Sequence, residues 1–170
     1  MENGKWKMEN CFVRGFTVIE LLVYMGLLAV FLTIISQIFV ASIDAQLESE
    51  AESSVQQDSK FILARLHRDL ANATAVTEPS SPGSSSSRLQ FVASGVTTIY
   101  QLQGANATLT EGVNVYQLNS VNTSVSNLFF NRRGAVSGKP IITAAFTLTS
   151  RAVRNSGPEI QTFQTTIGIR

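Results

Sequence analysis

Cysteine is nearly absent: Cys11 is the only one in 170 residues. That excludes an intrachain disulfide and a cysteine-ligated metal cluster. Histidine is as scarce. His67 stands alone, so no site can draw on two histidines, and in an arginine-rich stretch its ring reads as a solvated surface residue. Beyond residue 77 the only acids are Glu78, Glu111 and Glu159, too far apart in sequence to assume a catalytic pair or a calcium site. The chain also has no nucleophile elbow and no phosphate loop. These gaps argue against an enzyme and against a bound cofactor or metal. Formal net charge is +1, and no basic stripe invites nucleic acid. Proline does not occur before Pro79, so nothing of that kind interrupts a helix upstream.

What the chain does have is a long uncharged run. Leu21 to Ile43 carries no charged side chain. Phe16 to Ala41 as a helix would reach roughly 39 Å at 1.5 Å per residue, enough for a hydrocarbon core of about 30 Å with some tilt. A lone span in hydrocarbon must satisfy its own backbone hydrogen bonds, so helix is the expected state. Lys5, Lys7 and Arg14 lie before the run, and Asp44, Glu48, Glu50, Glu52 and Asp58 follow it before Lys60. The basic flank is therefore expected on the cytoplasmic side and the C-terminal body outside. No small-x-small cleavage pattern closes the run, which separates it from an ordinary secretory signal. Cys11 follows polar Met8-Glu9-Asn10, a poor setting for a lipid anchor.

One acid sits at the start of this run: Glu20, in Arg14-Gly15-Phe16-Thr17-Val18-Ile19-Glu20-Leu21-Leu22. A carboxylate in a membrane-length segment costs a few kcal/mol or more, so it needs a named partner. Locally, Thr17-x-x-Glu20 has the spacing of a capping box at a helix start.

Residues 44–76 still read as helix, without glycine or proline. Val55, Ile62, Leu66, Leu70 and Ala73 form an apolar stripe, broadened by Phe61 and Leu63. Asp58, Lys60, Arg65, Arg68 and Asp69 are expected on the opposite, solvated face, as is the acidic cluster from Asp44 to Glu52. Residues 77–87, rich in serine and proline, read as a flexible linker. After it come expected strands at 88–93, 97–103, 113–118, 126–130, 141–150 and 160–169. The last two should pair, with Ile142, Ala144, Phe146 and Leu148 facing inward against Phe163, Thr165, Ile167 and Ile169. Residues 151–158 between them read as an exposed loop and a contact surface. Residues 127–133 mix Phe129 and Phe130 with Arg132 and Arg133 and read as a strand end with a turn. The three sequons at Asn72, Asn106 and Asn122 are what chance gives in a chain rich in Ser, Thr and Asn. Helix first and strands after argue for an α+β fold, the helix covering one face of an antiparallel sheet.

The order of basic residues, Gly15, Phe16, Glu20 and apolar span resembles a type IV prepilin N-terminus. The stretch from Phe61 to Ala73 resembles the second helical half of J-type minor pseudopilins of type II secretion and of W-type minor pilins. The resemblance implies a pilin-like fold and a chain division: leader 1–15, transmembrane helix 16–43, its amphipathic extension 44–76, linker 77–87 and β-rich body 88–170. It implies cleavage between Gly15 and Phe16 by a prepilin peptidase, which also methylates the new terminus of Phe16. It implies Glu20 as the assembly residue, met by the Phe16 amine of a neighbouring subunit. The implied partners are that peptidase, other pilins or pseudopilins, an inner-membrane assembly platform and membrane lipid. The implied place is the cytoplasmic membrane, with one pass, and then a filament. Many major pilins carry a proline about 22 residues into the mature chain; Gln37 stands there, so a straighter helix and a minor, initiating or tip subunit are expected. The alternative is a bitopic membrane protein with an extracytoplasmic β domain that never joins a filament.

Overall fold

A computed structural model describes residues 15–134, 139–152 and 154–169. The expected leader apart from Gly15 lies outside the described residues. Among the described residues the fold is α+β. A helix, α1 (Val18–Ala71), precedes nine strands: β1 (Ala73–Glu78), β2 (Ser85–Ser86), β3 (Leu89–Ala93), β4 (Val96–Gln103), β5 (Asn106–Glu111), β6 (Asn114–Gln117), β7 (Thr123–Arg133), β8 (Ile141–Ser150) and β9 (Ile160–Gly168). The chain divides into two units, Met1–Ser42 and Ile43–Arg170.

The first unit is the apolar part of α1. It is long and apolar enough to cross a membrane, and none of its apolar window is covered by the rest of the chain. Large side chains such as Leu22, Leu27, Phe31, Ile35 and Phe39 are exposed. The polar groups within this stretch are closed on the helix itself. Thr33 Oγ1 donates to Ala29 O at 2.9 Å and Ser36 Oγ to Leu32 O at 2.8 Å, so neither hydroxyl depends on an outside partner.

The second unit packs the remainder of α1 against two antiparallel sheets rather than the single one expected. One has strand order β1-β3-β4-β5-β6, the other β2-β7-β8-β9. The expected stripe is the buried one: Val55, Ile62, Leu66 and Leu70, with Ala73 just beyond, join Leu89, Phe91, Leu109, Phe130, Phe146 and Leu148 in one core. Leu63 is half-buried beside it, but Phe61 stands 53% exposed. The strand pairing is as expected at the C-terminus: Ile142, Ala144 and Phe146 of β8 lie opposite Ile167, Thr165 and Phe163 of β9. Tight two-residue turns build the first sheet. At Ser94-Gly95 both residues have positive φ (52° and 78°), as a primed hairpin turn requires.

Several expectations need correction. The helix ends at Ala71, not 76, because Asn72 folds its Nδ2 back onto Arg68 O at 3.0 Å and satisfies a terminal carbonyl. The β-branched residues Thr74, Val76 and Thr77 then extend into β1, paired with β3. Residues 77–87 are not a free linker. Arg132 Nη1 donates to the carbonyls of Val76, Pro79 and Ser80 at 3.1–3.3 Å, and Gly83 N donates to Arg132 O at 2.7 Å. Pro79 is fully buried, and Ser85 and Ser86 pair with β7 as β2. Residues 106–111, which lie between the expected strands 97–103 and 113–118, are strand β5. Residues 127–133 are not a strand end: β7 runs through them with an irregularity between Ser126 and Phe129, where Asn127 takes a positive φ of 52°. Asp58 and Asp69 leave the solvated face and lie buried, whereas His67 and the acids Asp44, Glu48, Glu50 and Glu52 are exposed.

Leu70 is fully buried and Phe61 is not. Leu70→Ala should therefore cost about 2–5 kcal/mol of unfolding free energy, while Phe61→Ala stays within about 0.5 kcal/mol, in denaturant titrations of the full chain in detergent followed by circular dichroism.

Candidate functional site

At the helix start, Phe16, Thr17, Glu20 and Tyr24 come together, with Gly15 just before them. Thr17 caps the helix: its Oγ1 accepts from Glu20 N at 3.3 Å, and its carbonyl accepts from Leu21 N at 3.1 Å. This is one arm of the expected capping box. The other arm is replaced, because the Glu20 carboxylate turns toward the following turn. There Tyr24 Oη donates to Glu20 Oε1 at 3.1 Å. The Phe16 ring meets the Tyr24 ring edge-on, with centroids 6.0 Å apart and planes at 73°. Glu20 is half-buried by these neighbours, and Phe16 is 72% exposed. A carboxylate in the first turn also sits in the favourable field of the helix N-terminus.

Sequence reasoning named Gly15, Phe16, Thr17 and Glu20 but missed Tyr24. Its signal was present: a tyrosine four residues after a glutamate faces it across one helical turn. Gly15 carries a second message. A Cβ built on it would meet nothing within 4 Å, and its φ is not in the left-handed region. Folding of the described residues does not require a glycine there.

The second unit holds two buried carboxylates, each with three donors. Asp58 Oδ2 accepts from Ser120 N and Ser120 Oγ, both at 2.8 Å, and from Thr123 Oγ1 at 2.5 Å. Asp69 accepts from Tyr100 Oη at 2.6 Å, Arg65 Nε at 2.9 Å and Arg68 Nε at 3.2 Å. Arg65 also pairs with Glu111 on β5. Burial pushes the Tyr100 phenol up, and its bond to the Asp69 carboxylate adds to the shift. Burial alone would lower Arg65, but the bonds and charges of Asp69 and Glu111 outweigh it and hold the guanidinium above its ordinary value. Beside this cluster is an open cavity of about 310 Å³ lined by Arg68, Asp69, Asn72, Ser94, Thr98 and Glu111. Its most buried charged group, Asp69, is already paired, and the arrangement reads as a fastening for the helix. Among the described residues no three His, Cys, Asp or Glu side chains gather to hold a metal ion.

The loop 151–158 is not wholly free. The Arg154 side chain is 8% exposed and donates to Gly157 O at 2.9 Å and to Glu159 Oε2 at 3.2 Å, with Glu48 of α1 at 3.8 Å. Asn155 Nδ2 reaches Asp44 Oδ1 at 3.3 Å. Gln161 first, and Arg154 with it, hold the half-buried Glu159 carboxyl below its ordinary value.

Compared with known proteins, the chain matches no family model, no curated protein and no solved structure.

The Tyr100 shift has a definite sign in stability. The unfolded phenol ionises near pH 10, and the folded one resists ionisation, so its contribution is whole below about pH 10 and is lost as pH rises above it. Thermal unfolding of the full chain should shift downward through that window. Tyr100→Phe should start about 1.5–3 kcal/mol less stable and show a smaller alkaline decline.

Proposed function

We propose that this chain is a minor pilin or minor pseudopilin subunit. It is cut between Gly15 and Phe16, methylated on the Phe16 amine, held in the cytoplasmic membrane by the first half of α1, and drawn into a short filament as an initiating or tip component. The observation that carries this reading is the acid at the helix start. Glu20 lies in the first turn, four residues after Phe16, and the helix that follows is apolar on every side and uncovered. A carboxylate so placed acquires a strong partner when proteolysis frees a cation at Phe16 of an adjoining subunit. The unpacked surroundings of Gly15 support a demand from outside the fold, such as close passage through a protease site. The β-rich unit supplies the body that a filament would display. The subunit's role is structural, with export or surface functions belonging to the assembly.

A second reading has its own observation. Tyr24 already donates to Glu20 within one chain, so the carboxylate has a local partner without assembly. That suits a bitopic membrane protein that stays single.

Mass analysis of protein isolated from native membranes separates the two. The proposed subunit begins at a methylated Phe16; an intact Met1 rejects it. Glu20→Ala should insert normally but lose co-purification with other pilin-like proteins of the same cell by at least about tenfold, a loss of about 1.4 kcal/mol in the pairing. Unchanged co-purification would contradict the assigned role of Glu20.

A further inference from the structure

Among the described residues four strands end a sheet, and three of them carry features that blunt an edge. β1 is broken by two register shifts and ends in Glu78 followed by a proline. β2 is two residues long and β6 four. β9 has none of these protections. It runs nine residues, Ile160–Gly168, with no charge and no proline, in unbroken register with β8.

The direction of its free backbone groups follows from the ladder. Ser150 N donates to Glu159 O at 2.8 Å and Ile169 N to Pro140 O at 3.1 Å. Bonded pairs alternate along an antiparallel ladder, so the odd-numbered residues of β9 bond to β8. The N–H and C=O groups of Ile160, Thr162, Gln164, Thr166 and Gly168 therefore point away from β8, and among the described residues no strand takes them. All five residues are exposed.

Read along this outward row, Thr162-Gln164-Thr166 is the same in both directions. An antiparallel strand of identical sequence, centred on Gln164, would set Gln164 against Gln164 and Thr162 against Thr166 of the second copy. The same face already carries two cross-strand threonine contacts, Thr143–Thr166 at 3.1 Å and Thr147–Thr162 at 3.0 Å. Ile160 would fall opposite Gly168, where a Cβ would meet nothing within 4 Å, so the larger side chain has room. A partner of unrelated sequence would gain nothing from this symmetry. We infer that β9 is a self-pairing edge: two copies of the chain join their four-stranded sheets through antiparallel β9 strands centred on Gln164. The inference stands on the second unit alone and is independent of how the N-terminus is processed.

The test uses the full chain in detergent. Light scattering should show a protein mass of twice 18.4 kDa. Gln164→Lys places like charges opposite each other on the two-fold and should return the mass to one chain, with circular dichroism unchanged. Mixing Gln164→Lys with Gln164→Glu should restore the two-chain species, a rescue that helix-driven association would not show. In membranes before solubilisation, Gln164→Cys in a Cys11→Ser background should form a disulfide-linked dimer. Asn114→Cys, on the short edge β6, should not. A single-chain mass for the unaltered protein, a dimer that survives Gln164→Lys, failed rescue by the mixture, or equal cross-linking at both positions would overturn the inference.

Discussion

Two buried aspartates on one helix face set the architecture of the second unit. Asp58 and Asp69 are separated by three helical turns, so both point into the body. Asp69 takes the Tyr100 hydroxyl from β4, in the five-stranded sheet. Asp58 takes Ser120 and Thr123, at the start of β7 in the four-stranded sheet. A carboxylate taken out of water is costly unless its lone pairs are filled. Each finds these donors only when the helix is in register with its own sheet. The apolar stripe of Val55, Ile62, Leu66 and Leu70 supplies the larger burial, but hydrophobic contact tolerates sliding. The aspartates do not, because a shift of one residue would leave a buried charge without donors.

The same helix meets a different condition in the first unit. There it exposes apolar side chains on every side and closes its own hydroxyls onto its own carbonyls. Glu20 is the single charged group among those residues, and Thr17 and Tyr24 surround it. Proposed assembly adds a third contact, the freed amine of a neighbour. Tyr24 then has a part in both states. It holds the carboxylate before pairing, and its ring packs edge-on against Phe16, the residue that would carry the terminus a neighbour's Glu20 meets.

Much of this was legible in the chain. The uncharged run, the cap at Thr17, the helical stripe and the inward sets of β8 and β9 all follow from period and composition. The errors share a cause: they lie where a side chain, not a pattern, decides. Asn72 ends the helix without the glycine or proline that marks most stops. Arg132 orders a serine- and proline-rich stretch by bonding two of its carbonyls, Pro79 and Ser80, and that of Val76 just before it, contacts across more than fifty residues. Asp58 and Asp69 look like surface charges until Tyr100, Ser120 and Thr123 are folded against them. The division into two sheets was likewise hidden, because most of β1 read as the end of the helix and β5 fell between two expected strands. Tyr24 could have been found from its spacing to Glu20 alone.

The Arg154 loop has a mechanical consequence. It grips α1 at Asp44 and Glu48, the first turns of the helix that belong to the body. A pull along the helix axis toward its N-terminus loads these ties before it reaches Asp58 and then Asp69. The outermost are long contacts to exposed acids, bathed in salt and water, and they give way at small force. The buried aspartates yield only with the core. Tension is therefore shed in stages, with a compliant first latch that can open and reclose while the strands behind it stay folded.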